Sequence, residues 1–241
     1  YPHYYADYTT EIGFYFSHDD GRRENGIVGE GGFSKDQIVI SKMYKVDYEG
    51  ATPTEVTFDP ANITFNGATP ASVYDKANDT FKYEVPVFYN FGTDGKDDIR
   101  PLLDADKNQI MITVYIGVKG DVNLDNLADA VDATQIQIYY AKLSAGSVDG
   151  TASTNNTQLS LSNPIVDGPD SVYDHFAAFL GDVNANEWSE NNWKLRKEDR
   201  TELNAVDATQ IQVYYARVSA LGDDPYDAWN VASPFRFGGE K

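Results

Sequence analysis

One thirteen-residue string occurs twice in this chain. Residues 130–142 read AVDATQIQIYYAK and residues 205–217 read AVDATQIQVYYAR, identical at 11 of 13 positions, with Ile138/Val213 and Lys142/Arg217 as the exceptions. So close a duplication constrains the fold more than composition does, because whatever one copy forms the other must form too. Within each copy Ile136, Tyr139, Tyr140 and Leu143, matched by Ile211, Tyr214, Tyr215 and Val218, fall at i, i+3, i+4 and i+7. That spacing predicts a helix with one apolar stripe, and two short amphipathic helices each need a partner to cover it.

An acidic loop precedes each helix. GDVN begins at Gly120 and again at Gly181; in the first copy Asp121, Asn123, Asp125, Asp129 and Asp132 occupy positions 1, 3, 5, 9 and 12 of a twelve-residue loop. Leu127, at position 7, is placed to offer its backbone carbonyl. This is EF-hand spacing, in which alternating oxygen ligands curl a short loop around calcium. Two departures stand out. Asn126 replaces the usual Gly at position 6, a mild change because Asn tolerates the left-handed conformation. Asp132 replaces Glu at position 12, and the shorter side chain ligates only if the helix comes closer. The second copy is interrupted: GDVN recurs after 61 residues but the helix after 75, so 14 extra residues, roughly 187–201, lie inside the second loop. Asp182, Asn184 and Asn186 then match positions 1, 3 and 5, while Asn204 and Asp207 match positions 9 and 12. Two calcium ions are expected, the second held more weakly because its loop has two carboxylates against four.

The charge balance agrees. With 19 Lys+Arg against 38 Asp+Glu the formal charge is −19, which opposes binding to nucleic acid or to an anionic membrane surface. There is no cysteine and there are three histidines, so thiolate zinc sites, iron-sulfur clusters and cysteine nucleophiles are excluded. The longest nearly continuous apolar stretch, 110–118, is far short of the roughly 18 residues of a membrane span. No Ser-His-Asp, phosphate-loop or zinc motif appears, so a non-catalytic protein is expected. The chain opens on Tyr1, not Met, and is read as a segment of a longer exported bacterial polypeptide.

Before residue 119 the period is two. Ile110, Ile112, Val114, Ile116 and Val118 share one face of a strand, with Thr113 and Tyr115 on the other. Shorter runs at 14–17, 37–44, 55–59, 63–66 and 81–88 are separated by turn signals such as Asn66-Gly67 and Asp94-Gly95. Together they predict an antiparallel, immunoglobulin-like β-sandwich. Asp104, Asp106 and Asn108 read as a polar turn, Asp223-Asp224-Pro225 as a helix stop, and Trp229 as a residue packing back onto the rest.

A calcium loop with its exit helix, duplicated and with no helix ahead of the first loop, resembles a dockerin. The residues that carry the resemblance are GDVNLDNLADAVDATQIQIYYAKL and the split GDVNANE and LNAVDATQIQVYYARV. It implies an α+β two-module chain. Residues 1–118 would be an X-module and residues 119–241 a mainly α dockerin with two F-hand type loop-helix motifs. X-module/dockerin dyads of this kind sit at the C-termini of rumen-type cellulosomal scaffold or cellulose-adhesion proteins. The implied partner is a cohesin anchored at the bacterial cell surface, the implied setting is extracellular, and a monomer is expected before docking. Carried over position by position, the cohesin-contacting residues are Ala130, Val131, Gln137, Ile138 and Lys142 in the first copy. In the second they are Ala205, Val206, Gln212, Val213 and Arg217. Ala-Val at loop positions 10 and 11, with Ile138 and Val213 off the buried stripe, implies an apolar contact. The rival expectation is a carbohydrate-binding module in the first half fused to a dockerin, since Tyr and Phe are abundant there and stacked aromatics bind sugars.

Overall fold

A computed structural model of the chain describes residues 2–16, 32–148, 172–183 and 203–232. Among them are nine strands: β1 (His3–Thr10), β2 (Gly13–Phe16), β3 (Ile38–Val46), β4 (Thr54–Val56), β5 (Ile63–Thr64), β6 (Lys82–Pro86), β7 (Phe88–Asn90), β8 (Ile99–Pro101) and β9 (Met111–Gly117). A one-turn helix, α1 (Pro70–Val73), interrupts them, and α2 (Ala130–Val148), α3 (Val172–Gly181), α4 (Ala205–Ala216) and α5 (Pro225–Ala232) follow. The chain is thus α+β, with its strands ahead of its main helices. Among the described residues no helix is long and apolar enough to cross a membrane.

The strands form three sheets of three, ordered β1-β3-β4, β2-β9-β6 and β5-β7-β8, where the sequence predicted two antiparallel sheets. The other departure is direction: β2 runs parallel to β9, with Gly13 opposite Val114 and Phe16 opposite Gly117. About a hundred residues separate these partners, so no hairpin turn fixes their relative direction, and the turn signals that imply antiparallel neighbours do not bear on this pair.

The C-terminal half of strand β9 is buried on both faces. Ile110, Ile112, Val114 and Ile116 enter a mainly aliphatic cluster with Met43, Ile63 and Val85, as the alternation predicts, while Val118, expected on the same face, is half-buried outside it. On the reverse face Tyr115 joins Phe14, Phe16 and Phe81 of the β half and Phe176 and Leu180 of α3. Phe176 lies 5.2 Å from Phe14 and 5.7 Å from Tyr115, and Phe179 stacks on Phe16 at 4.4 Å, all between ring centroids. Gly117 permits this approach, since a Cβ there would sit 3.0 Å from both Phe176 and Leu180.

Helices α2 and α4 cover each other, with Ala133, Ile136 and Tyr139 meeting Ala208, Ile211 and Tyr214 in one cluster. The stripe differs from the prediction: Tyr140 and Tyr215 are exposed, and Ala133 and Ala208 take their place inside. Small residues let the helices approach closely on the side nearer the loops, which turns the tyrosines outward. Trp229 of α5 is fully buried and stacks on Tyr214 at 4.0 Å, with the Lys119 Nζ 4.5 Å from the centre of its ring. The predicted stop at Asp223-Asp224-Pro225 is the turn between α4 and α5, closed by Gly222 at φ 72°.

Because the aromatic cluster draws on both halves, they are expected to melt together. Phe176→Ala should cost about 3–5 kcal/mol and split one calorimetric transition into two. A variant with one unshifted transition would contradict the shared core.

Candidate functional site

The first acidic loop leaves β9 after three residues. Gly120, at φ 92°, donates its amide to the Leu180 carbonyl at 2.6 Å, which fixes the loop's entry against α3. Asp121 and Asp132 are fully buried. Asp121 accepts from the Asp125 amide at 3.1 Å and the Asn126 amide at 2.8 Å. Asp132 accepts from the amides of Val122 at 2.9 Å, Asn123 at 3.1 Å and Asp129 at 2.8 Å. Asn126 adopts φ 66°, the left-handed conformation its position predicts, and so does Leu124 at φ 60°.

These bonds explain the Asp at position 12. Its carboxylate reaches back to the Asp129 amide while Asp129 accepts from the Val131 amide at 2.7 Å, a reciprocal cap on the first turn of α2. The second copy repeats it: Asp207, also fully buried, accepts from the Asn204 amide at 3.0 Å, and Asn204 accepts from the Val206 amide at 2.8 Å. Asp182 is half-buried. Asn184, Asn186 and the insert at 187–201 lie outside the described residues, so the second loop is seen only at its two ends.

Burial and charge work against each other in the first loop. Loss of hydration pushes Asp121 from 3.8 up to about 8, with the Asp132 carboxylate adding to the rise. Burial likewise raises Asp132 to about 7, with repulsion from Asp125 contributing. Among the described residues no ion pair reaches either group, and an all-oxygen set with uncompensated negative charge suits a hard divalent cation. The set is not a finished cage. Among the described residues no three Asp, Glu or His side chains converge closely enough to hold a metal. Asp125 accepts from the Leu127 amide at 3.0 Å and from Asn123 Nδ2 at 3.0 Å, and Asp129 is turned onto its own helix. The Leu127 side chain is exposed.

The β half touches this loop directly. Tyr74, just after α1, donates its hydroxyl to Asn126 Oδ1 at 2.7 Å, and Asn126 Nδ2 donates to the Lys76 carbonyl at 3.5 Å. Sequence reasoning missed Tyr74, although the Asn at position 6, where Gly has no side chain to offer, was a signal that this position makes a contact.

On the helices, Val131 (54% exposed), Ile138 (49%), Val206 (51%) and Val213 (38%) stand in solvent, with Ala130, Gln137, Lys142, Ala205 and Gln212 exposed around them. Arg217 departs from its counterpart Lys142: it is half-buried and paired with Asp223 at 2.6 Å. The two ends of the duplicated face are therefore electrostatically unequal.

Residues 32–91, from the turn before β3 through β7 to Phe91, match the family model of the cellulose-binding protein CttA N-terminal domain. The match points to a cellulose-adhesion protein. It covers about a quarter of the chain and lies wholly in the β half, outside the acidic loops and their helices. No curated protein matches the chain.

The raised values fix the sign of a pH effect. A carboxyl whose folded pKa is raised contributes stability that is complete below its unfolded value, near 4, and is lost as pH climbs through the folded values of about 7 and 8. In EDTA the loop's contribution to the melting temperature should therefore fall from pH 4 to pH 8. Asp132→Asn should flatten that fall and shrink the rise that calcium produces at pH 8; an unaltered calcium response would remove Asp132 from the site. Tyr74→Phe, which deletes one hydrogen bond worth about 1 kcal/mol, should weaken calcium binding by roughly fivefold in calorimetric titration.

Proposed function

We propose that the protein serves non-catalytic adhesion in polysaccharide degradation, joining a carbohydrate-directed first half to a calcium-dependent docking half. The family match supports the first part, because residues 32–91 resemble the N-terminal domain of a cellulose-binding protein. The second part is supported by the duplicated loop-helix, in which a buried carboxylate pair underlies an exposed apolar face. In this reading residues 119–241 are a dockerin, residues 1–118 an X-module, and the partner a cohesin on the bacterial surface. Calcium would be held by Asp121 and Asp132 in the first loop, with Asn123 and Asp125 beside them, and by Asp182 and Asp207 in the second. A bound ion supplies positive charge that offsets carboxylate repulsion and orders the loop beneath the helix. At extracellular millimolar calcium and a dissociation constant on the order of 10 μM, one such site would add about 2.7 kcal/mol. The shared aromatic core favours a bracing role for the β half besides any sugar binding.

Two assays separate the parts. The full chain should be retained on amorphous cellulose with or without EDTA, and should capture a cell-surface cohesin only with calcium. Val131→Asp and Val206→Asp should each weaken cohesin capture tenfold or more while leaving cellulose retention intact. Small, equal losses would indicate two interchangeable docking orientations, calcium-independent capture would overturn the role of calcium, and no capture in calcium would overturn the docking reading.

A further inference from the structure

A cleft of about 470 Å³, open to solvent, lies between the β1-β3-β4 sheet and the C-terminal end of β7, the central strand of the β5-β7-β8 sheet. Its volume falls in the range of roughly 300–1,000 Å³ typical of ligand sites. Nine of its twelve lining residues lie within the segment matched to the cellulose-binding family, while none belongs to the acidic loops or their helices.

Aromatic rings and polar groups converge there. Tyr4 and Phe91 stack at 4.2 Å between centroids, and Tyr89 lies 4.7 Å from Phe91. Tyr4, Phe58 and Phe91 line the cleft and are half-buried, so each keeps part of its surface accessible. Polar groups are anchored beside them: the Tyr89 hydroxyl accepts from the Asp59 amide at 2.9 Å and from Asn62 Nδ2 at 3.5 Å. The far rim is held as firmly, because Asn90 Oδ1 accepts from the amides of Gly92 and Asp98, each at 2.9 Å. Gly92 is tightly enclosed, since a Cβ there would collide with the Lys96 carbonyl. Such bracing lowers the ordering cost of binding.

We propose that this cleft is the carbohydrate site of the first half and takes a β-1,4-linked glucan chain. The proposal rests on the adhesion reading above and names the surface through which it acts. A pyranose ring has flat C–H faces that pack on aromatic rings, and ring-edge hydroxyls that donate to a carboxylate and exchange hydrogen bonds with amides. Phe58, Phe91 and Tyr4 offer the first surface, and Asp59 and Asn62 the second. A neutral, hydroxyl-rich ligand also suits a chain of formal charge −19, which would repel a polyanion.

The test uses the full chain in calcium, with binding isotherms on swollen amorphous cellulose and titration with cellohexaose. Thr57→Arg and Thr93→Arg obstruct the opening from exposed rim positions, and Tyr4→Ala removes one stacking ring. Tyr48→Ala, an exposed aromatic outside the cleft, is the control. The wild type and the control should bind alike, and the two rim variants should bind at least tenfold more weakly at unchanged melting temperature. Rim variants that bind cellulose as the wild type does would overturn the cleft and leave the carbohydrate reading standing. A wild type that binds neither ligand, nor xylan, would overturn that reading and the cleft with it. Binding to xylan alone, lost in the rim variants, would overturn the glucan assignment.

Discussion

Two hydrophobic clusters close on opposite faces of β9, and the other elements take their places around that fact. The aliphatic cluster under Ile112 and Val114 organises the sheets, while the aromatic cluster over Tyr115 calls for α3, an element from the far side of the first duplicated helix. Full burial of a large apolar side chain contributes about 1.5–3 kcal/mol, so Phe14, Phe16 and Phe176 together make this seam comparable to the net stability of a small domain. Three residues beyond the strand's end the chain enters the acidic loop, and Gly120 is bonded to α3 as it does so. A loop mounted this way inherits its position from the β half.

That mounting bears on the buried carboxylates. Two acids out of contact with water and repelling each other are a local instability, tolerated because backbone amides bind each of them and because the surrounding core holds the loop in shape. Asp132 and Asp207 also cap their helices, so helix start and acid placement are a single arrangement used twice. A longer Glu at that position would have to fold back to reach the same amide. The Asp that looks like a departure from the calcium-loop pattern thus has a local structural role of its own.

What the sequence made legible was local. Both duplicated helices begin where the repeat does, Asn126 is left-handed as its position requires, and the 110–116 alternation faces the core. What it hid was long-range. The period of two cannot say that the reverse face of β9 is also buried, because the covering residues arrive some sixty positions later. Turn signals could not give the parallel pairing of β2, whose partner is not its neighbour in sequence. Tyr140 and Tyr215 were placed inside by helical spacing, but the spacing does not tell a stripe centred on tyrosine from one centred on alanine. Residues 55–59 read as one strand run among several and Asp94-Gly95 as a turn, and only the packed sheets bring Tyr4 beside Phe91.

The aromatic seam also sets an order of events when the chain is made. Phe14, Phe16, Phe81 and Tyr115 are synthesised before their cover, and Phe176 follows Ile116 by sixty residues. At about 5–20 residues per second, that face of the β half waits roughly 3–12 s for α3. During that interval a sticky aromatic surface has no internal partner, and the parallel β2–β9 pairing, itself slow to form because it closes so long a loop, must hold without the helix that later seals it. Residues 117–181 therefore act as a delay line in biogenesis, and whatever shields nascent hydrophobic surface in the cell has to span it.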